Sequence, residues 1–126
     1  MGAFVAIAGL TGVGLLGFWA WGILGGGITG GAEPWPGFRD HELAFALPDC
    51  TVGAVLLAGA VLEAIGDARG RWVAGPAGRA LMFLGLLDLA YLYRTWRLRS
   101  GAMRVRTAVL ASAALLLGGV LVVLVG

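Results

Sequence analysis

LMFLGLLDLAYLYR, residues 81–94, is an apolar run of helix length with a single carboxylate, Asp88, set inside it. An α-helix rises about 1.5 Å per residue and the hydrocarbon core of a bilayer is about 30 Å thick, so about 20 such residues cross it. The run reads as most of a membrane span, and it raises the question of what surrounds the acid. The rest of the chain belongs in the same solvent. Of 126 residues, 60% are hydrophobic and only 13% are charged, too little polar surface to cover a water-soluble core.

Working outward, three further spans follow from the hydropathy. No charged side chain occurs from Met1 to Ala32, and the first span is expected over residues 3–24. Its glycines at 9, 12, 14 and 17 allow a neighbouring helix to approach closely. No basic residue precedes this run, so it lacks the positive start of a secretory signal and is kept as a span. The glycines from Gly25 to Gly31 are read as a turn. They lack the Lys and the helix-opening Ser or Thr of a phosphate-binding loop.

The second span is drawn over 43–62, with the alternative that its helix starts at Pro48. In the longer version Asp49 lies ~9 Å inside the apolar run, just after a proline kink. In the shorter, Asp49 merely complements the helix dipole at the interface. Asp40 is expected to cap a helix opening with His41 and Glu42, and these two could form a proton relay at the membrane surface. The segment GDARGRWVAGPAGR, residues 66–79, is expected to be a solvated loop, with Pro76 in the first turn of a third span over 76–93. The fourth span is expected over 107–125.

The whole chain is thus expected to be one all-α domain, residues 1–126, an integral membrane four-helix bundle with antiparallel up-down topology. Its nine basic residues are all Arg. Arg94, Arg97, Arg99, Arg104 and Arg106 cluster in the third connection, where they suit anionic-lipid headgroups. Together with Arg39 they assign the first and third loops to the cytoplasm and both termini to the outside. A formal charge of +2 gives no reason to expect nucleic acid. One cysteine, Cys50, excludes an intramolecular disulfide, a CxxC pair and a cysteine-rich metal site. No metal or cofactor is expected, since the lone His41 cannot build a histidine-rich site.

On this topology Asp49 and Asp88 are counted inward from the same surface and fall at similar depth. They form the candidate polar site, with Tyr91 three residues beyond Asp88 on an adjoining edge. Gly85, one turn before Asp88, is expected to leave room beside the acid. An ionised carboxylate at membrane depth costs on the order of 3 kcal/mol on insertion scales, so it should be paired, protonated or hydrated. One alternative is that Asp88 pairs with Arg94 or a following Arg, or bonds Tyr91, and simply holds the helices together. The other is that it binds a proton, a cation, a small molecule or a polar headgroup.

LPD at 47–49 and LLDLAY at 86–91, in the second and third of four spans, give the chain a further context. With that layout it resembles small uncharacterised bacterial four-span membrane proteins of the broad DoxX-like kind. The resemblance implies a four-helix protein of the bacterial inner membrane and supplies no activity. The first functional reading is a non-enzymatic transport or ligand-binding module that uses the intramembrane carboxylates, with glycine-rich helices available for a homo-oligomer. A second is an intramembrane enzyme on a lipid or isoprenoid substrate, and a third is an accessory subunit without chemistry.

Overall fold

The computed structural model describes residues 2–125. Helix α1 (Gly2–Leu24) is followed by a short α2 (Phe38–Ala44), α3 (Ala46–Ala64), α4 (Arg69–Arg94), a single 3₁₀ turn (Trp96–Leu98) and α5 (Gly101–Val125). No strand occurs among the described residues. Four stretches are long and apolar enough to cross a membrane: α1, α2 with α3 (Phe38–Ala64), α4 and α5. Their outer faces settle the solvent. Leu10 is 74% exposed, Leu116 71% and Val123 79%, and in water each such side chain forgoes about 1.5–3 kcal/mol of burial. The chain is a multi-pass membrane protein.

Neighbouring helices meet through small residues. A Cβ on Gly12 of α1 would stand 2.6 Å from the Gly53 carbonyl oxygen of α3, and one on Gly70 of α4 would stand 2.5 Å from that of Gly59 in α3. On the other side of α4, a Cβ on Gly85 would meet the Ala111 carbonyl of α5 at 2.9 Å. Lipid tails are as apolar as leucine, so burial does not drive these helices together. Close backbone approach and the dispersion it brings do. The buried centre, Phe4, Ala8, Leu56, Ala74, Leu81 and Leu121, draws on all four long helices. Helices α1, α3 and α4 pack in chain order and α5 closes against α4, whereas α1 and α5 meet along a much smaller seam.

Several boundaries depart from the sequence expectation. The third span begins at Arg69, seven residues before Pro76, which sits inside the helix. The segment expected to be a solvated loop is helical from Arg69 onward, and only Ile65–Ala68 connects α3 to α4. Gly70, Ala74, Ala77 and Gly78, which looked like loop composition, are the buried face of α4. A membrane helix tolerates proline because neighbouring groups satisfy the backbone carbonyl it frees. The turn itself uses Gly66 at φ +84°, a left-handed conformation suited to glycine. Beyond it the Asp67 carboxylate accepts the Arg69 backbone N–H at 2.9 Å and the Arg69 guanidinium at 2.7 Å. These bonds hold the Asp67 carboxyl down to about 2.

The second span also differs. Its helix starts at neither Leu43 nor Pro48 but at Ala46, after α2 and a one-residue break at Phe45. Proline at 48 has no N–H for the Ala44 carbonyl and its ring crowds that group, which places the break there. Asp40 is not a cap: α2 opens at Phe38 after Gly37, and Asp40 lies within the first turn. An orphan N–H of that turn, on Arg39, donates instead to the Glu33 carboxylate at 2.9 Å. Finally, α5 begins at Gly101, so Arg104 and Arg106 lie on a helix rather than in the connection.

Arg71, expected in a solvated loop, ties one end of the molecule together. Its Nε donates to Glu63 of α3 at 3.1 Å and its Nη1 to the Leu124 carbonyl of α5 at 2.9 Å. Its guanidinium also lies over the Phe4 ring of α1, 5.3 Å from the centroid. One side chain therefore touches all of the other three long helices, and it satisfies a terminal carbonyl of α5 that has no partner within its own helix.

Candidate functional site

At the opposite end of the helices from Arg71 lies a cavity of about 290 Å³. Its walls come from the later part of α1, α2, the start of α3, the middle of α4 and the start of α5. The segment after α1 contributes Gly27, Ile28, Gly30, Ala32 and Pro34 to the lining. That segment is held by its own bonds. Ile28 N–H donates to the Gly22 carbonyl at 2.8 Å, and the Arg39 guanidinium donates to the Gly31 carbonyl at 2.7 Å. The glycine-rich stretch read as a turn is in effect a cavity wall.

The polar lining is Glu42, Asp49, Asp88, Arg99, Arg106 and Thr107. Asp49 occupies the first turn of α3, where the positive end of the helix dipole favours a carboxylate. Its Oδ2 accepts a hydrogen bond from Trp19 Nε1 of α1 at 2.9 Å. Asp88 projects from α4 and lies within Coulomb reach of Asp49, Glu42 and Arg99. Among the described residues the two ion pairs are Asp67–Arg69 and Glu63–Arg71. Asp88 is in neither, so the salt bridge to Arg94 or a following arginine, one of the two alternatives for this acid, is not formed. Nor does Tyr91 bond it: the Tyr91 ring is stacked on His41 with centroids 3.3 Å apart. The space expected at Gly85 is also taken, by the Ala111 carbonyl and Leu115 of α5.

The structure thus brings Asp49 and Asp88 to one cavity and leaves Tyr91 behind its wall. Glu42, expected in a relay at the membrane surface, is a third carboxyl of the lining, while His41 is half-buried against Tyr91 and Phe45. The arginines divide. Arg94, Arg97 and Arg106 are exposed and Arg104 is half-exposed over the Trp96 ring, 4.5 Å from its centroid. Arg99 is the exception: it is 5% exposed. Its Nε donates to Thr95 Oγ1 at 2.9 Å and its Nη1 to Thr107 Oγ1 at 2.8 Å. Its guanidinium carbon lies over the rings of Trp35 and Tyr91, 5.1 and 5.3 Å from their centroids.

Sequence reasoning missed Trp19, Arg99 and Thr107. Arg99 reaches back to Thr95 across the 3₁₀ turn Trp96–Leu98 and is itself extended, a path that no helical spacing announces, and the count of arginines pointed to a solvated connection. Among the described residues, no group of three or more His, Cys, Asp or Glu side chains is arranged to hold a metal ion. The lining offers charges of both signs that form no ion pair with one another, and apolar walls from Leu15, Phe18, Leu110 and Ala114. Compared with protein families, curated proteins and solved structures, the chain matches none.

Proposed function

We propose that this protein is a small binding or transport module of the bacterial cytoplasmic membrane that takes a small ligand into the cavity between Asp49 and Asp88. It is built as an antiparallel up-down four-helix bundle. Supporting that topology, contacts between adjacent helices run in falling register: Gly9 with Ala60, Gly12 with Gly53 and Trp19 with Asp49 on one seam, Gly78 with Leu121 and Gly85 with Ala111 on another. Exposed Arg94, Arg97 and Arg106 lie at the cavity end, so the positive-inside rule turns that end to the cytoplasm and leaves both termini outside.

The observation that carries the functional reading is a cavity within the helices lined by three carboxyls, two of which, Asp88 and Glu42, have no hydrogen-bond or ion-pair partner among the described residues. A structural role would have spent those groups on contacts. An isolated ionisable group among membrane helices is costly and marks a site where a polar ligand or proton completes the charge. Charge-selective thiol labelling tests this. With Cys50→Ala removing the native thiol and Ala114→Cys placing one on the cavity wall, a cationic methanethiosulfonate should react several-fold faster than an anionic one. Asp88→Asn should narrow that ratio. If the introduced thiol is unreactive to both reagents in folded protein, the cavity does not admit ligands and the reading fails.

A further inference from the structure

Arg99 is the most unusual charge in the molecule. It is 95% buried by its 5% exposure, yet no carboxylate among the described residues comes within ion-pair distance of it. Two of its nitrogens bond neutral threonine hydroxyls, two aromatic rings lie against the guanidinium, and its Nη2 has no partner. A buried guanidinium ordinarily takes a carboxylate or phosphate as partner. Here the opposite charges exist but stand apart: Glu42 and Asp88 feel Arg99 through space, and all three line one cavity. Arg106, exposed and on the same lining, adds a second guanidinium.

A cavity lined by two guanidiniums and three carboxyls that form no ion pair with one another complements a molecule carrying both signs. We infer that the ligand is a zwitterion, with an ammonium group held by Asp88, Asp49 and Glu42 and an oxyanion, phosphate or carboxylate, held by Arg99 and Arg106. The inference rests on the binding reading above and adds the ligand class. Arg99 is suited to the oxyanion end because its Nη2 has no partner and a planar guanidinium is the group that recognises carboxylate and phosphate. The ammonium end has an aromatic wall as well as the acids, since Phe18, Trp19 and Phe45 share the lining. The volume, about 290 Å³, is at the small end of ligand pockets and fits one such head. Leu15 and Phe18 of α1 face Leu110 and Ala114 of α5 across the small α1–α5 seam. A zwitterionic lipid head with its acyl chain in that seam and a free water-soluble zwitterion share the same charge chemistry.

The test is a binding panel on the purified full chain in nanodiscs made of lipid without ammonium groups. Ethanolamine supplies the cation alone and inorganic phosphate the anion alone. Phosphoethanolamine and β-alanine supply both charges, and lysophosphatidylethanolamine adds one acyl chain. One of the zwitterions should bind about tenfold or more tighter than either half, the worth of one charge-assisted contact. Arg99→Gln should reduce that zwitterion to the level of ethanolamine without weakening ethanolamine itself, whereas Asp88→Asn should weaken both. Because Arg99 also bonds two threonines, Arg106→Gln, at an exposed position, provides a variant that keeps the fold, and it should weaken the zwitterion and phosphate but not ethanolamine. Tighter binding of the acylated form identifies a lipid source, and equal binding identifies a soluble one. If ethanolamine binds as well as every zwitterion and Arg106→Gln changes nothing, the zwitterion inference is overturned while the carboxylate cavity stands. If no member of the panel binds folded protein, both are overturned.

Discussion

Gly12 and Gly14 lie two residues apart on α1, and the structure assigns them opposite responses to the same added methyl group. A Cβ at Gly12 would sit 2.6 Å from the Gly53 carbonyl oxygen and 3.0 Å from the Leu57 nitrogen, both backbone atoms of α3. At Gly14 nothing lies within 4 Å. Alanine gains about 1 kcal/mol over glycine in a helix interior, and that gain is common to both sites. Overpacking costs about 1–3 kcal/mol, and it falls only on Gly12, where two helix backbones must separate. Gly12→Ala should therefore be less stable than Gly14→Ala by about 1–3 kcal/mol, roughly a five- to hundredfold difference in the unfolding equilibrium. Titration with SDS in mixed micelles, followed by tryptophan fluorescence, measures it directly. Equal stability of the two variants would show that the α1–α3 seam is not held by close backbone approach and would refute the packing argument.

Other perturbations test other parts of the structure. Arg71→Met should cost about 1–2 kcal/mol in the same SDS titration, because it leaves Glu63 without its partner and frees the Leu124 carbonyl; a loss no larger than that of Arg79→Met, an exposed control, would remove its tying role. Trp19→Phe deletes the bond to Asp49 and should destabilise by about 1.5–3 kcal/mol, the range for a hydrogen bond to a charged group, while Trp72→Phe, at an 85% exposed position of α4, should be nearly neutral. The Asp67 carboxyl is held to about 2 in the fold against an ordinary 3.8. Its contribution is therefore complete above pH 3.8 and is lost as the pH falls through about 2. Infrared titration of the carboxylate band should show this, and Arg69→Gln should raise the Asp67 carboxyl part of the way toward the ordinary value, since the backbone N–H of residue 69 still donates to it. Pro48→Ala restores an N–H opposite the Ala44 carbonyl, and amide exchange at Phe45 and its neighbours should slow as α2 and α3 join; unchanged exchange would place the cause of the break elsewhere.

The four spans were legible because twenty-residue apolar runs have few other readings, and because charges cluster between them. Their edges were harder. Residues 66–79 are rich in Gly, Ala and Arg, the composition of a loop in water, yet in lipid the same small residues form a close backbone approach between helices, Gly70 against Gly59. Composition cannot distinguish glycine used for a turn from glycine used for approach; that depends on what a second helix presents. Asp49 and Asp88 could be brought to one level by counting helical rise from a shared surface, since depth is a local quantity. Arg99 could not be separated from the four other arginines around it, because its burial depends on Trp35, Tyr91 and Thr107, which arrive from three other parts of the chain.

Arg71 and the cavity occupy opposite ends of the same four helices, and this has a mechanical consequence. One end is pinned: a single guanidinium spans α1, α3 and α5 from α4. At the other end α1 and α5 are parted by the cavity and joined by no glycine contact like those of the other seams. A body clamped at one end and slack at the other bends as a pair of tweezers does, with its largest displacement at the tips. Thickness changes in the surrounding bilayer, which load the outermost helices, would therefore do their work at the cavity rather than at the pinned end, so the membrane itself becomes a variable that sets how wide the tips stand.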